Sequence, residues 1–331
     1  MTLQGVAKTE RGRKLLILIA AFAAVYVFWG STYLAIKFAI ETLPPLLMAG
    51  SRFLIAGTIL FAYAMLRKDR ERPTLAHWRT SFIVGTLLLL GGNGGVVLAE
   101  RYLPSSFAAL LIATEPLWIV ILSWLWLGLG RPSWKVFLGL AVGFVGVWLL
   151  VSGSPIADAT SGGDQWFGII AVVLATVSWA AGSVYGLRGA APKSPFLTAG
   201  MQMIAGSISL LLVGLLRGEL ADLNLAAVSL NSLLGVSYLI VFGSLIGYTA
   251  YSWLLKNARP SIVATYAYVN PIVAVIMGWL VAGESMTPEM LIGAGVIVTS
   301  VVLITSQGAS EPDEEAVDLH TSCTPETTYS T

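Results

Sequence analysis

SFAALLIATEPLWIVILSWLWLG, residues 106–128, decides how the chain is read. The run is long and apolar enough to cross a bilayer as a helix, which takes about 20 such residues. Near its middle stands Glu115-Pro116, a carboxylate and a helix-breaking residue where hydrocarbon is expected. The same run returns 155 positions later as SIVATYAYVNPIVAVIMGWLVAG, residues 261–283. Ser106, Ala109, Pro116, Val120, Ile121, Trp124, Leu125 and Gly128 find identical partners at Ser261, Ala264, Pro271, Val275, Ile276, Trp279, Leu280 and Gly283, without a gap. Glu115 is answered by Asn270. A membrane helix that repeats, each copy with a polar–proline pair at mid-depth, is the pattern of two half-sites in a duplicated membrane fold.

Composition extends this reading to the whole chain. Of its 331 residues 56% are hydrophobic and 11% charged, against about 25% charged in soluble domains. Apolar runs of about 18 residues or more predict ten spans. They lie near 15–37, 46–66, 81–100, 106–128, 134–152, 166–187, 196–216, 231–254, 261–283 and 288–306. The other breakers, from Pro44-Pro45 to Pro288, fall between spans or at their edges, so Pro116 and Pro271 are the expected breaks inside helices. Fifteen of the 19 Lys and Arg residues fall on one side if the N-terminus is cytoplasmic. That bias places both termini in the cytoplasm.

The duplication reaches further. At an offset of 150, Trp29, Pro45, Leu47 and Ala49-Gly50 match Trp179, Pro195, Leu197 and Ala199-Gly200, and Arg52 faces Gln202; at 155, Gly92 matches Gly247. Each half has five spans, and an odd number inverts the second half relative to the first. The expected fold is an all-α integral membrane protein of ten transmembrane helices in two inverted five-helix repeats. Its parts are a cytoplasmic segment 1–14, repeats 15–152 and 166–306, an external linker 153–165 and a disordered acidic tail 307–331.

No G-x-x-x-x-G-K-[ST] loop, H-E-x-x-H pair or Cys/His cluster occurs, so neither cofactor nor metal is expected and the chain is read as no enzyme. The one cysteine, Cys323, and both histidines, His77 and His320, lie outside the apolar runs. The basic loop 67–72 is explained by topology and anionic lipid, with no need of nucleic acid.

Intramembrane acids face cavities, pair with cations or stay protonated. Glu115 is therefore the candidate for proton coupling or for binding a substrate amine, the alternative being a cap on the carbonyl freed by Pro116. Asn270 and Asn93 are the candidate amides, and Trp29, Tyr33, Trp118, Trp179, Tyr185, Tyr248 and Tyr266 the candidate aromatic walls. Tyr251 and Tyr268 are further aromatics of spans 8 and 9. Aromatic walls suit an amphiphilic or aromatic solute. Arg52 and Glu100 are candidates for an ion pair or outer gate. Trp124, Trp126, Trp134, Trp148, Trp166 and Trp279 are expected at the membrane interfaces.

With Trp29-Gly30-Ser31-Thr32-Tyr33, Arg52-Phe53 and Ala113-Thr114-Glu115-Pro116 on this frame, the chain resembles the EamA-type branch of the drug/metabolite transporter superfamily over residues 15–306. The resemblance implies a secondary transporter of the bacterial inner membrane, often an exporter of amino acids, other metabolites or toxic compounds. It places spans 1, 3, 4, 6, 8 and 9 around a central cavity and spans 5 and 10 outside. Here the glutamate often found before the proline of span 9 is Asn270. The expected partners are a small-molecule substrate, the lipid bilayer, protons and, as an open reading, a second copy of the chain. An uncoupled or channel-like facilitator and a lipid-modifying membrane enzyme stand as alternatives.

Overall fold

A computed structural model describes residues 3–103, 108, 111–128, 131–152, 165–282 and 287–306. The linker 153–164, the tail 307–331, His320 and Cys323 lie outside them. The described residues are mostly helical; their main helices are numbered α1 to α10 in chain order, and a 3-10 turn, Leu225–Ala227, lies between the seventh and the eighth. α1 joins Leu3–Ala24 to Gly30–Ala39 through a π-helical stretch, Val25–Trp29. α2 is Pro45–Leu66, and α3 joins Leu75–Gly85 to Gly95–Ala99 through π-helical Thr86–Gly94. α4 is Glu115–Leu127, α5 Trp134–Ser152, α6 Gln165–Arg188 and α7 Pro195–Leu216. α8 joins Leu230–Tyr238 to Thr249–Asn257 through π-helical Leu239–Tyr248. α9 has a short arm, Pro260–Val263, and a long one, Tyr266–Ala282; α10 is Pro288–Ser306. Seven spans are long and apolar enough to cross a membrane, and Glu115–Leu127, Trp134–Leu149 and Pro288–Ile304 are shorter apolar stretches.

Helix α1 begins at Leu3, well ahead of the expected span; no proline interrupts it, and its Ala, Lys, Glu and Arg are good helix formers that offset Gly5 and Gly12. α2 starts at Pro45, where a missing N–H costs nothing. Its next two amides, of Leu46 and Leu47, donate to one oxygen of buried Glu219, each at 2.9 Å. Glu219 is brought there by the left-handed turn that ends α7 at Gly218 (φ 79°).

Large apolar residues cover much of the outer surface, and several polar ones lie inside beside the apolar core. Leu54, Ile55 and Ile59 on α2, Phe144 and Trp148 on α5, and Val298 and Val302 on α10 are exposed, as a lipid-facing surface requires. The six tryptophans expected at the interfaces are exposed as well. Arg52, Glu115, Gln202 and Asn270 are buried.

The packing pairs α2 with α7 and α5 with α10. α1 lies against α8 and α9, and α6 lies against α3 and α4. Exchanging the first five helices for the second five leaves these pairs unchanged. Small residues set the distances: a methyl built on Gly57 or Gly200 meets the other's carbonyl oxygen at 3.0 or 3.1 Å. Gly92 and Gly247, matched in the sequence repeat, receive indoles from the opposite half. A methyl on Gly92 meets Trp179 at 2.6 Å, and one on Gly247 meets Trp29 at 2.5 Å.

The glycines therefore set a stability test. Gly92→Ala and Gly247→Ala each overpack an indole and are expected to cost about 1–3 kcal/mol. Gly295→Ala, with nothing within 4 Å, is expected to be neutral or to gain up to about 1 kcal/mol of helix propensity. Thermal unfolding of the purified chain in detergent reads the difference.

Candidate functional site

The two interrupted spans meet at their interruptions. Glu115 is the first residue of α4, and Tyr266 opens the long arm of α9. The Tyr266 hydroxyl donates to Glu115 Oε1. The turn before each is closed alike: Thr114 Oγ1 donates to the Leu111 carbonyl at 2.7 Å, and Thr265 Oγ1 to the Ile262 carbonyl at 2.6 Å. These hydroxyls occupy carbonyls that an unbroken helix would have paired. A carboxyl at a helix N-terminus stands where the macrodipole favours negative charge.

Pro116 lies in the first turn of α4, just past the break. Pro271 does not break its helix, since Tyr266–Ala282 runs through it and the interruption comes earlier, at residues 264–265. Asn270 ties that arm to α1. With its amide oriented to suit its neighbours, Nδ2 donates to the carbonyls of Tyr266 at 3.1 Å and Tyr26 at 3.3 Å.

Around the Glu115–Tyr266 contact lies a cavity of about 100 Å³. One water needs roughly 10–15 Å³ by this measure, so a small solute fits. Trp29, Tyr33, Asn93, Glu115, Trp179, Tyr248, Tyr266 and Asn270, all predicted, line it. Trp118 and Tyr185 do not. Trp118 sits a turn further along α4, closed in by Ala180 and Ala264. Tyr185, six residues beyond Trp179, is turned about a third of a circle away and packs in the core around Leu88 and Met203.

Arg52 lines the cavity, 4% exposed, with Nη2 donating to Asn93 Oδ1 at 3.0 Å. It forms no ion pair with Glu100 among the described residues; both Glu100 oxygens are buried without a hydrogen-bond partner. The fold thus offers Arg52 an amide from α3 before any carboxylate.

A smaller hollow lies beyond the aromatic floor, with Ser183, Gln202, Tyr251 and Lys256 in its wall. Tyr251 separates the two spaces. Its fully buried ring packs on Trp29, Trp179 and Tyr266 with centroids 5.0, 5.6 and 5.6 Å away. Its hydroxyl accepts from Trp179 Nε1 at 3.0 Å and lies 2.6 Å from Ser183 Oγ. The sequence signal for Tyr251 was its place three residues after Tyr248, on one helix face. Tyr248 in turn donates to Gln202 Oε1 at 3.0 Å. Arg52–Asn93 and Gln202–Tyr248 occupy matching repeat positions; the first pair lines the cavity, and the second links the cavity at Tyr248 to the hollow at Gln202.

Residues 15–152 and 166–306 both match the model of the EamA-like transporter family. The chain belongs to that family. It is 39% identical to the uncharacterized inner membrane transporter YedA of Escherichia coli over 89% of this chain and 92% of that protein. Protein PecM of Dickeya dadantii is 30% identical over 83% of this chain and 88% of its own, and the uncharacterized transporter YvbV of Bacillus subtilis 29% over 87% and 92%. A solved crystal structure, 19% identical, shares the fold with a TM-score of 0.69 over 89% of this chain and 98% of its own. As a member of the EamA-like family, the chain is a membrane transporter, and its exposed apolar faces meet lipid.

The floor of the cavity can be tested at one oxygen. Tyr251→Phe leaves Trp179 Nε1 without its acceptor, while Ser183 keeps the Trp179 carbonyl at 2.7 Å. One buried unpaired donor is expected to cost about 1–3 kcal/mol. An unchanged thermal midpoint would remove Tyr251 as the fastening of the floor.

Proposed function

We propose that this EamA-like protein is a secondary transporter that exports small metabolites, such as amino acids or amphiphilic and aromatic compounds, by alternating access. The proposal sets it in a bacterial inner membrane with both termini in the cytoplasm and its ten helices in two inverted repeats. The observation that carries the reading is the aromatic floor: a largely apolar cavity that holds Glu115, Arg52 and Asn93 and one smaller hollow, divided by Tyr251 and the rings around it. A carrier needs such a barrier on one side at a time, whereas a channel needs an open path. The exchangeable helix pairing and the matched bonds Arg52–Asn93 and Gln202–Tyr248 support a conformational cycle in which the two halves trade roles. By the positive-inside assignment, the cavity opens toward the outer half and the hollow toward the cytoplasmic one.

Glu115 is the proposed proton carrier. It is the buried acid that lines the cavity, and Tyr266 of the opposite half donates to it. Movement of α9 relative to α4 therefore changes the surroundings that set its protonation. In proteoliposomes, Glu115→Gln is expected to keep exchange of labelled for unlabelled substrate and to lose accumulation driven by a pH gradient. Gradient-driven accumulation at the wild-type level would end the coupling role.

A further inference from the structure

Arg52 is a buried guanidinium with donors left over. Nη2 is held by Asn93, but Nε and Nη1 are buried and have no hydrogen-bond partner among the described residues. The group rests on the Phe53 ring, 4.3 Å from its centroid, and lines the cavity. Glu100 is near enough to act on it electrostatically but stays outside ion-pair distance, its own oxygens without a hydrogen-bond partner among the described residues. Burying such donors is costly unless something satisfies them. Nη2 carries a second N–H beyond the one given to Asn93, and that group with its parallel neighbour on Nε or Nη1 forms an edge that matches the two oxygens of a carboxylate.

We infer that Arg52 binds the carboxylate of the transported solute, so that the substrates are small carboxylic acids, amino acids included, with an apolar or aromatic body. The inference rests on the carrier reading and names its substrate class. Trp29, Trp179 and Tyr266 supply the wall for that body. Asn93 is the positioning residue, holding the guanidinium through one N–H of Nη2. The matching place in the second half holds neutral Gln202, already engaged by Tyr248. One half alone therefore reads the anion, which suits a solute charged at one end.

The test uses the full chain in detergent and the tryptophans of the cavity as reporters. Phenylalanine, 3-phenylpropionate and phenylalaninamide are titrated against intrinsic fluorescence. Wild type is expected to bind the two carboxylates at least about tenfold more tightly than the amide, the worth of a charge-assisted hydrogen bond. Arg52→Gln is expected to bring that ratio to within about twofold, Arg52→Lys to keep part of it, and Glu100→Gln to leave it in place. Equal affinity for amide and acid in wild type overturns the inference without any variant having to fold. So does an equal loss of discrimination in Glu100→Gln and Arg52→Gln, which would make the two residues a gate. Exchange of the amide across proteoliposomes as fast as the acids would overturn the carboxylate reading and leave the carrier standing. A chain that neither binds nor exchanges any of the three removes both.

Discussion

Each half of this chain seats an indole on a glycine of the other, Trp29 on Gly247 and Trp179 on Gly92, and the rest of the centre is arranged around that exchange. The two indoles meet edge to face, with centroids 5.5 Å apart. Lipid gives helices no hydrophobic reason to associate, so close packing and hydrogen bonds must do it. The π-helical stretches contribute here. By loosening the regular ladder they expose carbonyls, and the opposite half fills them: Trp29 Nε1 donates to Gly243 at 3.0 Å, and Ser178 Oγ to Leu87 at 2.8 Å. The same side chains thus lock the halves together and build the cavity floor.

Polar groups inside such a protein must be satisfied or used. Most are satisfied locally, as at Thr114 and Thr265, where a hydroxyl turns back onto its own helix. Others bridge helices: Tyr26 OH lies 2.6 Å from Thr265 Oγ1, and Ser31 Oγ 2.6 Å from Tyr238 OH. Against that background Arg52, with Nε and Nη1 unpartnered among the described residues, and Glu115, held from the opposite half by Tyr266, stand apart, and both residues line the cavity.

The apolar helices and eight of the ten residues expected at the cavity were legible in the sequence because hydropathy and matched residues act over 20 or more positions. Local backbone chemistry was not. Pro271 drew the expected break to itself, yet the helix passes through it and the turn sits at residues 264–265, closed by a hydroxyl that no periodicity marks. The π-helical stretches left no pattern beyond the glycines at 91–95. Arg52 was expected to seek a carboxylate such as Glu100; its partner Asn93 lies 41 residues away on a neighbouring helix, a proximity that only the fold creates. Trp118 shares a helix face with Glu115 but is closed in by Ala180 and Ala264, which belong to two other spans.

The central claim is that the two halves run through the membrane in opposite senses with the cavity at their seam. Cys323 is the chain's only cysteine, so Cys323→Ser provides a background for single reporters. A membrane-impermeant maleimide applied to intact cells should label Glu41→Cys and Asp222→Cys at once, and Lys68→Cys and Ala190→Cys only after permeabilisation. Labelling of Glu41→Cys and Ala190→Cys, which follow corresponding spans, from the same side would contradict the inversion and the carrier cycle built on it.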